Sequence, residues 1–404
     1  MPPPGWYQQT LPVNDRINDI FFLDSLNGWI VTDGDNNPPD TGYIIHTTNG
    51  GENWNIQLSM VQELRVIQFL DINTGYTAGG TGSGTDRIYK TTNSGENWIQ
   101  LNIIGLESID DMYFISKDTG WVCDEDPLFG GLYKTTNGGN SWVQQLNESY
   151  RPLKLFFINK DTGWVGTNSN RLYRTTNGGT NWNLQYSSNY PVRSIFFLNP
   201  NNGWIKGGTG NGVLYTTDGG FTWNNGQGNV AAGDDVKFVN DSIGYSGGSF
   251  TKIAKSTDGG RIWGYQTIPI FTAGSVSVLA GDTSLAWMGT NGFIHTTDGG
   301  GPIIYTGIKQ ISNTIPNDFI LYQNYPNPFN PKTIIKFNCK KTSQVSIKVY
   351  DANGKLIDGI SYMIVHTGEY QYEFDGTGLT SGVYFYSLSA DGNVVETKKM
   401  LLVK

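Results

Sequence analysis

Seven near-identical phrases punctuate this chain: TTNGGENW, TTNSGENW, TTNGGNSW, TTNGGTNW, TTDGGFTW, STDGGRIW and TTDGGGPI, the last without its tryptophan. Their Asn or Asp residues, Asn49, Asn93, Asn137, Asn177, Asp218, Asp258 and Asp298, are spaced by 44, 44, 40, 41, 40 and 40 residues. A unit of that length cannot bury its own apolar face and must stack against its copies, and this period is that of a four-stranded propeller blade. The expectation is an all-β chain whose first 307 residues form a seven-bladed β-propeller.

Each repeat opens with an apolar run that ends in a polar turn, as in INDIFFLDSLNGW, LRVIQFLDINTGY and LKLFFINKDTGW. Continuous apolar character fits an innermost strand buried on both faces. A third strand follows (YIIHT, RIYKT, LYKTT), then the phrase, then a fourth strand. In the phrase the Asn or Asp side chain is expected to accept backbone amides two residues on while the glycines supply positive φ, closing a tight hairpin. Its tryptophan then covers the hairpin and packs on the neighbouring blade.

The 12 tryptophans confirm the register of the repeats. Trp29, Trp121, Trp164, Trp204 and Trp287 follow the first turn, with Tyr76 and Tyr245 in their place in repeats two and six. Trp54, Trp98, Trp142, Trp182, Trp223 and Trp263 follow the phrase. Trp6 is left over, in a GWYQQ context resembling SWVQQ at 141–145, and the seventh repeat lacks its fourth-strand tryptophan. The N-terminal strand is therefore expected to complete the last blade, removing the exposed edges of an open sheet.

Composition limits the partners. Net charge is −8 and the pI is about 4.9, so a nucleic-acid backbone, which needs clustered Lys and Arg, is excluded as a partner. Cys123 and Cys339 fall on apolar sides of alternating segments and read as buried free thiols. No apolar run reaches the ~18 residues of a membrane span. The start, MPPPGWYQQ, lacks the basic and apolar regions of a secretory leader.

The phrase matches the Asp-box pattern, and with the GW turn and constant period, residues 1–307 resemble propellers of the photosystem II assembly factor type. Asp-boxes also occur in sialidases, xyloglucanases and sortilin-like receptors. In all of these families the box is a structural hairpin, so the resemblance implies no catalytic role for it. From about residue 316 the text changes: FILYQNYPNPFNPKTIIKF, VSIKVYDANGKLI, GEYQYEFDG, LTSGVYFYSLSADG and ETKKMLLVK resemble the type A sorting domain of bacterial type IX secretion. The resemblance implies a secreted or cell-surface protein whose tail is read by the secretion machinery and then removed or exchanged for an anchor. It also implies a leader, so the present start is expected to lie downstream of one.

Read from the residues, the tail at 319–404 is a small Ig-like β-sandwich. Pro326, Pro328 and Pro331 confine their stretch to an edge, and Asn353-Gly354 and Asp391-Gly392 supply hairpin turns. The polar segment 308–318 is expected as the linker between the two domains.

Ligands of Asp-box propellers usually meet the face opposite the boxes. Counting back eleven residues from each turn aromatic reaches Asn18, Arg65, Asp110, Leu153, Arg193, Asp234 and Val276. One step later stand Asp19, Val66, Asp111, Lys154, Ser194, Asp235 and Ser277. The channel-mouth candidates are therefore Arg65, Asp110, Asp111, Lys154, Arg193, Asp234 and Asp235. Two acidic loops, 33–40 and 124–127, read as solvated: Asp33, Asp35 and Asn37 are spaced like a calcium loop, but the twelfth-position Glu is missing. His46 and His295 share the third-strand position of Lys90, Lys134, Arg174, Lys255 and Tyr215, which favours repeat drift over a catalytic or metal pair. His366 has no evident partner. Tyr150, Tyr186 and Tyr190, with Phe129 and Phe250, offer a platform for sugars or protein if they are exposed.

No metal, cofactor or nucleophile motif emerges. The reading is a non-enzymatic binding or scaffold propeller for a surface protein or polysaccharide. The alternative is a glycoside hydrolase of sialidase or xyloglucanase type, which needs an arginine clamp or a carboxylate pair across a cleft. Arg16, Arg65 and Arg193 with Asp110, Asp111, Asp234 and Asp235 are the available groups, but the Arg-Ile-Pro signature of sialidases is absent.

Overall fold

The computed structural model describes residues 5–34, 41–60, 63–80, 87–101, 106, 108–124, 126, 130–187, 190–207, 212–226, 235–247, 252–261, 263–269, 275–279, 281–300, 308–312, 314–341, 343–365 and 367–404. It is all-β apart from one 3₁₀ turn, Glu148–Tyr150, among the described residues. The chain divides into two compact units, Met1–Ile304 and Tyr305–Lys404.

The first unit holds seven antiparallel four-stranded sheets among its described residues. Their first strands are Ile17–Phe22, Val66–Phe69, Ile109–Phe114, Pro152–Phe157, Val192–Phe197, Val236–Phe238 and Ser275–Val278. Each of these packs against the first strand of the next sheet, and the seventh packs against the first. In six sheets the four strands follow one another in the chain. In the seventh, the outer strand is Trp6–Gln9, paired antiparallel with Phe293–Thr296 in the register Trp6 to Thr296. The Trp6 indole donates to Gln266 Oε1 at 3.0 Å, and the Gly5 amide donates to Asp298 Oδ2 at 2.9 Å.

Adjacent sheets are joined by one repeated aromatic stack. Trp29 of the first sheet lies face to face with Phe69 of the second at 3.6 Å between ring centres, and Phe69 in turn meets the edge of Trp98 at 5.9 Å. The same arrangement joins Tyr76 to Phe114, Trp121 to Phe157, Trp164 to Phe197, Trp204 to Phe238 and Trp287 to Phe22. Each such pair contributes about 0.5–1.5 kcal/mol beyond the area it buries. The stack explains the glycine before each turn aromatic. Phe22, Phe69, Phe114, Phe157, Phe197 and Phe238 pair across the strand with Gly28, Gly75, Gly120, Gly163, Gly203 and Gly244, and their rings lie where a Cβ on the glycine would stand. In the seventh sheet the pair is Val278 with Ala286, so both members change together. Trp6 there reaches Tyr245 edge-on at 5.9 Å.

The Asp-box hairpin is built differently from the sequence expectation. In the first repeat the amide that donates to Asn49 Oδ1 is that of Asn53, four residues on, at 3.0 Å. The amide two residues on, Gly51, is taken by Thr47 Oγ1 at 2.9 Å, and Thr47 itself donates to Asn49 Oδ1. Gly50 and Gly51 stand at φ 72° and 95°, where L-residues are strained. Asn93, Asn137, Asn177 and Asp218 repeat this pattern. Asp258 accepts the Ser256 hydroxyl, and Asp298 takes the amide two residues on, that of Gly300. The threonine is thus as much a part of the device as the Asn or Asp.

In the second unit, Ile308–Ser312, Gly368–Asp375, Lys332–Cys339 and Ile320–Leu321 form one sheet in that order. Leu356–Val365, Ser343–Tyr350, Gly382–Ala390 and Asn393–Leu402 form the other. Both contribute to one core that includes Phe337, Tyr372, Ile347, Tyr386 and Leu402. The segment expected as linker therefore supplies an edge strand, because Ile308–Ser312 hydrogen-bonds along Gly368–Asp375. The proline-rich stretch stays at the edge, with Phe329 inserted into the core and Asn324 donating to the Tyr386 hydroxyl at 2.7 Å. Asp391 and Gly392, at φ 51° and 83°, make a two-residue hairpin turn. Cys123 and Cys339 are buried free thiols.

Two outcomes are expected. Deleting residues 1–12 removes the seventh sheet's outer strand and should cost about 3–5 kcal/mol, comparable to a large core truncation; an unchanged melting curve would refute this. Gly120→Ala should cost about 1–3 kcal/mol by overpacking, and adding Phe114→Val should cost less than the two single changes summed. Strict additivity in chemical denaturation would mean that the glycine does not exist to receive the ring.

Candidate functional site

The seven first strands enclose a cavity of about 610 Å³. Each phrase hairpin is tied to the turn that follows the first strand, as by the Gly138 amide donating to Asp118 O at 2.8 Å. The boxes thus lie at one end of the cavity, and the residues that precede the first strands lie at the other.

Of the seven sequence candidates, Arg65, Asp110, Asp111, Lys154, Arg193 and Asp235 line this cavity, and Asp234 lies outside the described residues. Arg16, Asp19, Glu63 and Lys237 line it too. Among the described residues, five carboxylates (Asp19, Glu63, Asp110, Asp111, Asp235) face five cations (Arg16, Arg65, Lys154, Arg193, Lys237). The lining is charged but balanced.

Three of the carboxylates lace neighbouring strands together. Asp19 Oδ2 accepts the Ile67 amide at 3.0 Å, Asp111 Oδ2 accepts the Leu155 amide at 2.9 Å, and Asp235 Oδ2 accepts the Val276 amide at 3.0 Å. In each case the donor belongs to the next sheet. Ser194 Oγ plays the same part for the Val236 amide at 3.1 Å and donates to Asp235 Oδ1 at 2.7 Å. Ser275 Oγ donates to Asp19 Oδ1 at 3.0 Å and so occupies the equivalent place in the seventh sheet.

That last contact corrects the sequence register, which put Ser277 there. The seventh hairpin is two residues longer, so Ser277 pairs with Trp287 as Phe21 pairs with Trp29, one layer deeper. Counting back from the tryptophan fails where the intervening turn changes length. Gln68 and Ser277 lace the deeper layer, accepting the Phe114 amide at 2.7 Å and the Phe22 amide at 3.2 Å.

Arg65 is tied at the mouth to Glu63 at 3.1 Å, to Asp110 at 3.9 Å and to the Ile109 carbonyl at 3.2 Å. Arg193 is exposed. Lys154 Nζ lies 3.7 Å from Asp111, and Lys237 Nζ lies 3.3 Å from Asp235. Burial disfavours the Lys154 ammonium, but Asp111, Asp19 and Asp110 outweigh it and hold its pKa above the usual lysine value. Burial pushes Asp19 up to about 6 despite the Ile67 amide and the nearby Lys237 and Lys154. At Asp235 burial also raises the pKa, but Lys237, Ser194 and the Val276 amide prevail and leave it below the usual carboxylate range.

Three aromatic side chains of the deeper layer, Tyr113, Phe156 and Phe196, come from consecutive sheets and line the same cavity. Their ring centres are 5.2 Å apart for Tyr113 and Phe156 and 5.7 Å for Phe156 and Phe196. They lie within the apolar runs that open their repeats, but nothing in a continuous apolar run marks which residue borders an open space. The other aromatic candidates behave otherwise. Tyr150 packs edge-on against Tyr173, and Tyr186, in the strand Asn183–Ser187, packs beside Trp223. Phe129, Phe250, His366, Asp35 and Asn37 lie outside the described residues. Asp33 is buried, as is Asp124, which accepts the Asp126 amide.

His46 and His295 stack on Trp29 and Trp287, where Lys134 and Arg174 lie over Trp121 and Trp164. Burial lowers both imidazoles to about 4, so they are neutral near pH 7. Among the described residues no three His, Cys, Asp or Glu side chains gather as a metal site, and no helix is long and apolar enough to cross a membrane.

With this geometry in hand, comparison places both halves. Residues 323–404 match the family model described as the secretion system C-terminal sorting domain. The structure of YCF48 bound to D1 peptide aligns with a TM-score of 0.57 at 15% identity, covering 74% of this chain and 98% of that one. PorZ, a surface component of the type IX secretion system of Porphyromonas gingivalis, aligns over 98% of this chain and 60% of its own at 11% identity and a TM-score of 0.52. The GH74 xyloglucanase of Xanthomonas campestris aligns over 83% of this chain and 60% of its own at 11% identity and a TM-score of 0.57. No curated protein sequence matches the chain. The protein is a propeller followed by a type IX secretion sorting domain, and that tail marks it for export to the cell surface or beyond.

The raised pKa of Asp19 has a sign. A carboxyl that holds its proton more tightly when folded stabilises the fold below the unfolded value near 4, and that contribution is lost as pH rises through about 6. A carbon-detected NMR titration should give Asp19 a midpoint near 6, and a midpoint below 4 would contradict the burial argument.

Proposed function

We propose that the chain is an exported, non-enzymatic binding module: a seven-bladed propeller closed by its N-terminal strand, followed by an Ig-like sandwich that serves export. The propeller comprises residues 1–307 and the sorting domain 319–404, with Ile308–Ser312 joined to the latter's sheet. Type IX secretion machinery is the partner of the tail. The propeller's own partner is a surface protein or polysaccharide met at the channel mouth, at Arg65, Asp110, Asp111, Lys154, Arg193, Asp234 and Asp235.

The observation that supports binding over hydrolysis is the employment of the carboxylates. Asp19, Asp111 and Asp235 each accept a backbone amide of the neighbouring sheet, so they are tied to the scaffold and not poised as an acid and base about a scissile bond. Arg65 is likewise paired with Glu63, which weakens an arginine-clamp reading. The xyloglucanase likeness is one of fold at 11% identity and supplies no site.

Incubation with immobilised polysaccharides and with chromogenic glycosides tests the proposal. Retention without turnover is expected, and release of product would replace this reading with a glycoside hydrolase. Arg65→Ala combined with Arg193→Ala should abolish retention while shifting thermal unfolding by no more than a few degrees. Unaltered retention would move the binding surface away from the mouth.

A further inference from the structure

We propose that the deep end of the channel seats one neutral sugar ring on the arc of Tyr113, Phe156 and Phe196. The inference rests on the binding reading and names its ligand class.

The arc is a curved aromatic surface built from three consecutive sheets, with ring spacings of 5.2 and 5.7 Å. All three rings are only half-buried by the protein, so each leaves apolar area for a ligand within a cavity of about 610 Å³. That volume lies in the range of roughly 300–1,000 Å³ typical of small-molecule sites.

Two polar groups that line the cavity with the arc keep hydrogen-bonding capacity. The Tyr113 hydroxyl makes no hydrogen bond among the described residues, and burial, aided by Asp111, pushes its pKa up to about 12, so it is a neutral donor. Asp111 uses Oδ2 for the Leu155 amide, while among the described residues Oδ1 has only the 3.7 Å ion pair with Lys154. One hydroxyl without a hydrogen bond among the described residues and one carboxylate oxygen held only by a long ion pair with Lys154 therefore line the cavity with the apolar arc, and both can take a further partner.

Charge selects among the ligands that fit. An organic cation would be drawn to the rings and to Asp111 but opposed by Lys154 and Lys237, and an anion would be drawn to those lysines but opposed by Asp19, Asp111 and Asp235, so neither charge gains a net advantage. A neutral molecule with an apolar face and a hydroxyl edge satisfies both layers: its C–H face lies on the arc, and its hydroxyls meet Tyr113, Asp111 and Lys154. A pyranose is the common biological molecule of that design.

Calorimetry and saturation-transfer NMR on the full chain with glucose, galactose, mannose, cellobiose and maltose test this, with lysine and glucuronate as charged probes. At least one neutral saccharide should bind. Tyr113→Phe, which keeps the ring and its packing, should weaken it about tenfold, and Phe156→Leu should weaken it further. If Phe156→Leu fails to fold, Tyr113→Phe carries the test. Absence of binding by every neutral sugar, tighter binding of a charged probe, or affinity unchanged in both variants overturns the inference. Retention of a surface polymer that depends on Arg65 and Arg193 but not on Tyr113 or Phe156 leaves the binding function standing and refutes the sugar site alone.

Discussion

The first unit depends on a phenylalanine ring held between a glycine and the aromatic side chain of the preceding sheet. The glycine's missing Cβ lets the ring fold flat across its own sheet, and only a flat ring offers a face at 3.5–3.7 Å to the incoming Trp or Tyr. A second tryptophan closes the ring's edge at 5.7–6.1 Å. Six interfaces share this geometry. The seventh forgoes it, with Val278 against Ala286, and the N-terminal strand brings Trp6 to that interface instead. The exception and the compensation fall in one place because a sheet whose fourth strand is Trp6–Gln9 has that strand supplied from outside the local repeat.

The same economy governs the channel. The first strands of neighbouring sheets do not hydrogen-bond to each other as a continuous ladder, so their inward amides need other acceptors. Asp19, Asp111, Ser194 and Asp235 meet that need in one layer, and Gln68 and Ser277 in the next. Two of the charged residues that a sequence reading would assign to a ligand, Asp111 and Asp235, are thus structural. Outside that lacing stand Arg193, which is exposed, and the Tyr113 hydroxyl, which makes no hydrogen bond among the described residues.

The tail obeys a different logic. Its proline-rich entrance cannot join a sheet interior, so it runs along an edge and anchors through Phe329 and Asn324. Its first strand, Ile308–Ser312, carries polar text that reads as a linker, because an edge strand with one solvated side needs no apolar alternation. Length and polarity alone do not separate such a strand from a tether.

Much was legible in the chain by itself. The repeat period, the hairpin phrases, the paired aromatic positions and the sorting-tail text are local patterns, and local patterns survive in a string of letters. The starts of the first strands could be found by counting, as with Arg65, Asp110, Lys154 and Arg193. Counting failed at Ser277, where a longer turn displaced the register and put Ser275 in the lacing layer. It also assigned Asn49 an amide that Thr47 takes. Only the tertiary structure decided which charges are spent on neighbouring strands, which rings border open space, and which glycine makes room for which ring. The lacing bonds join residues about 40 positions apart and exist only once the sheets stand side by side, whereas each glycine and its ring face each other within one hairpin.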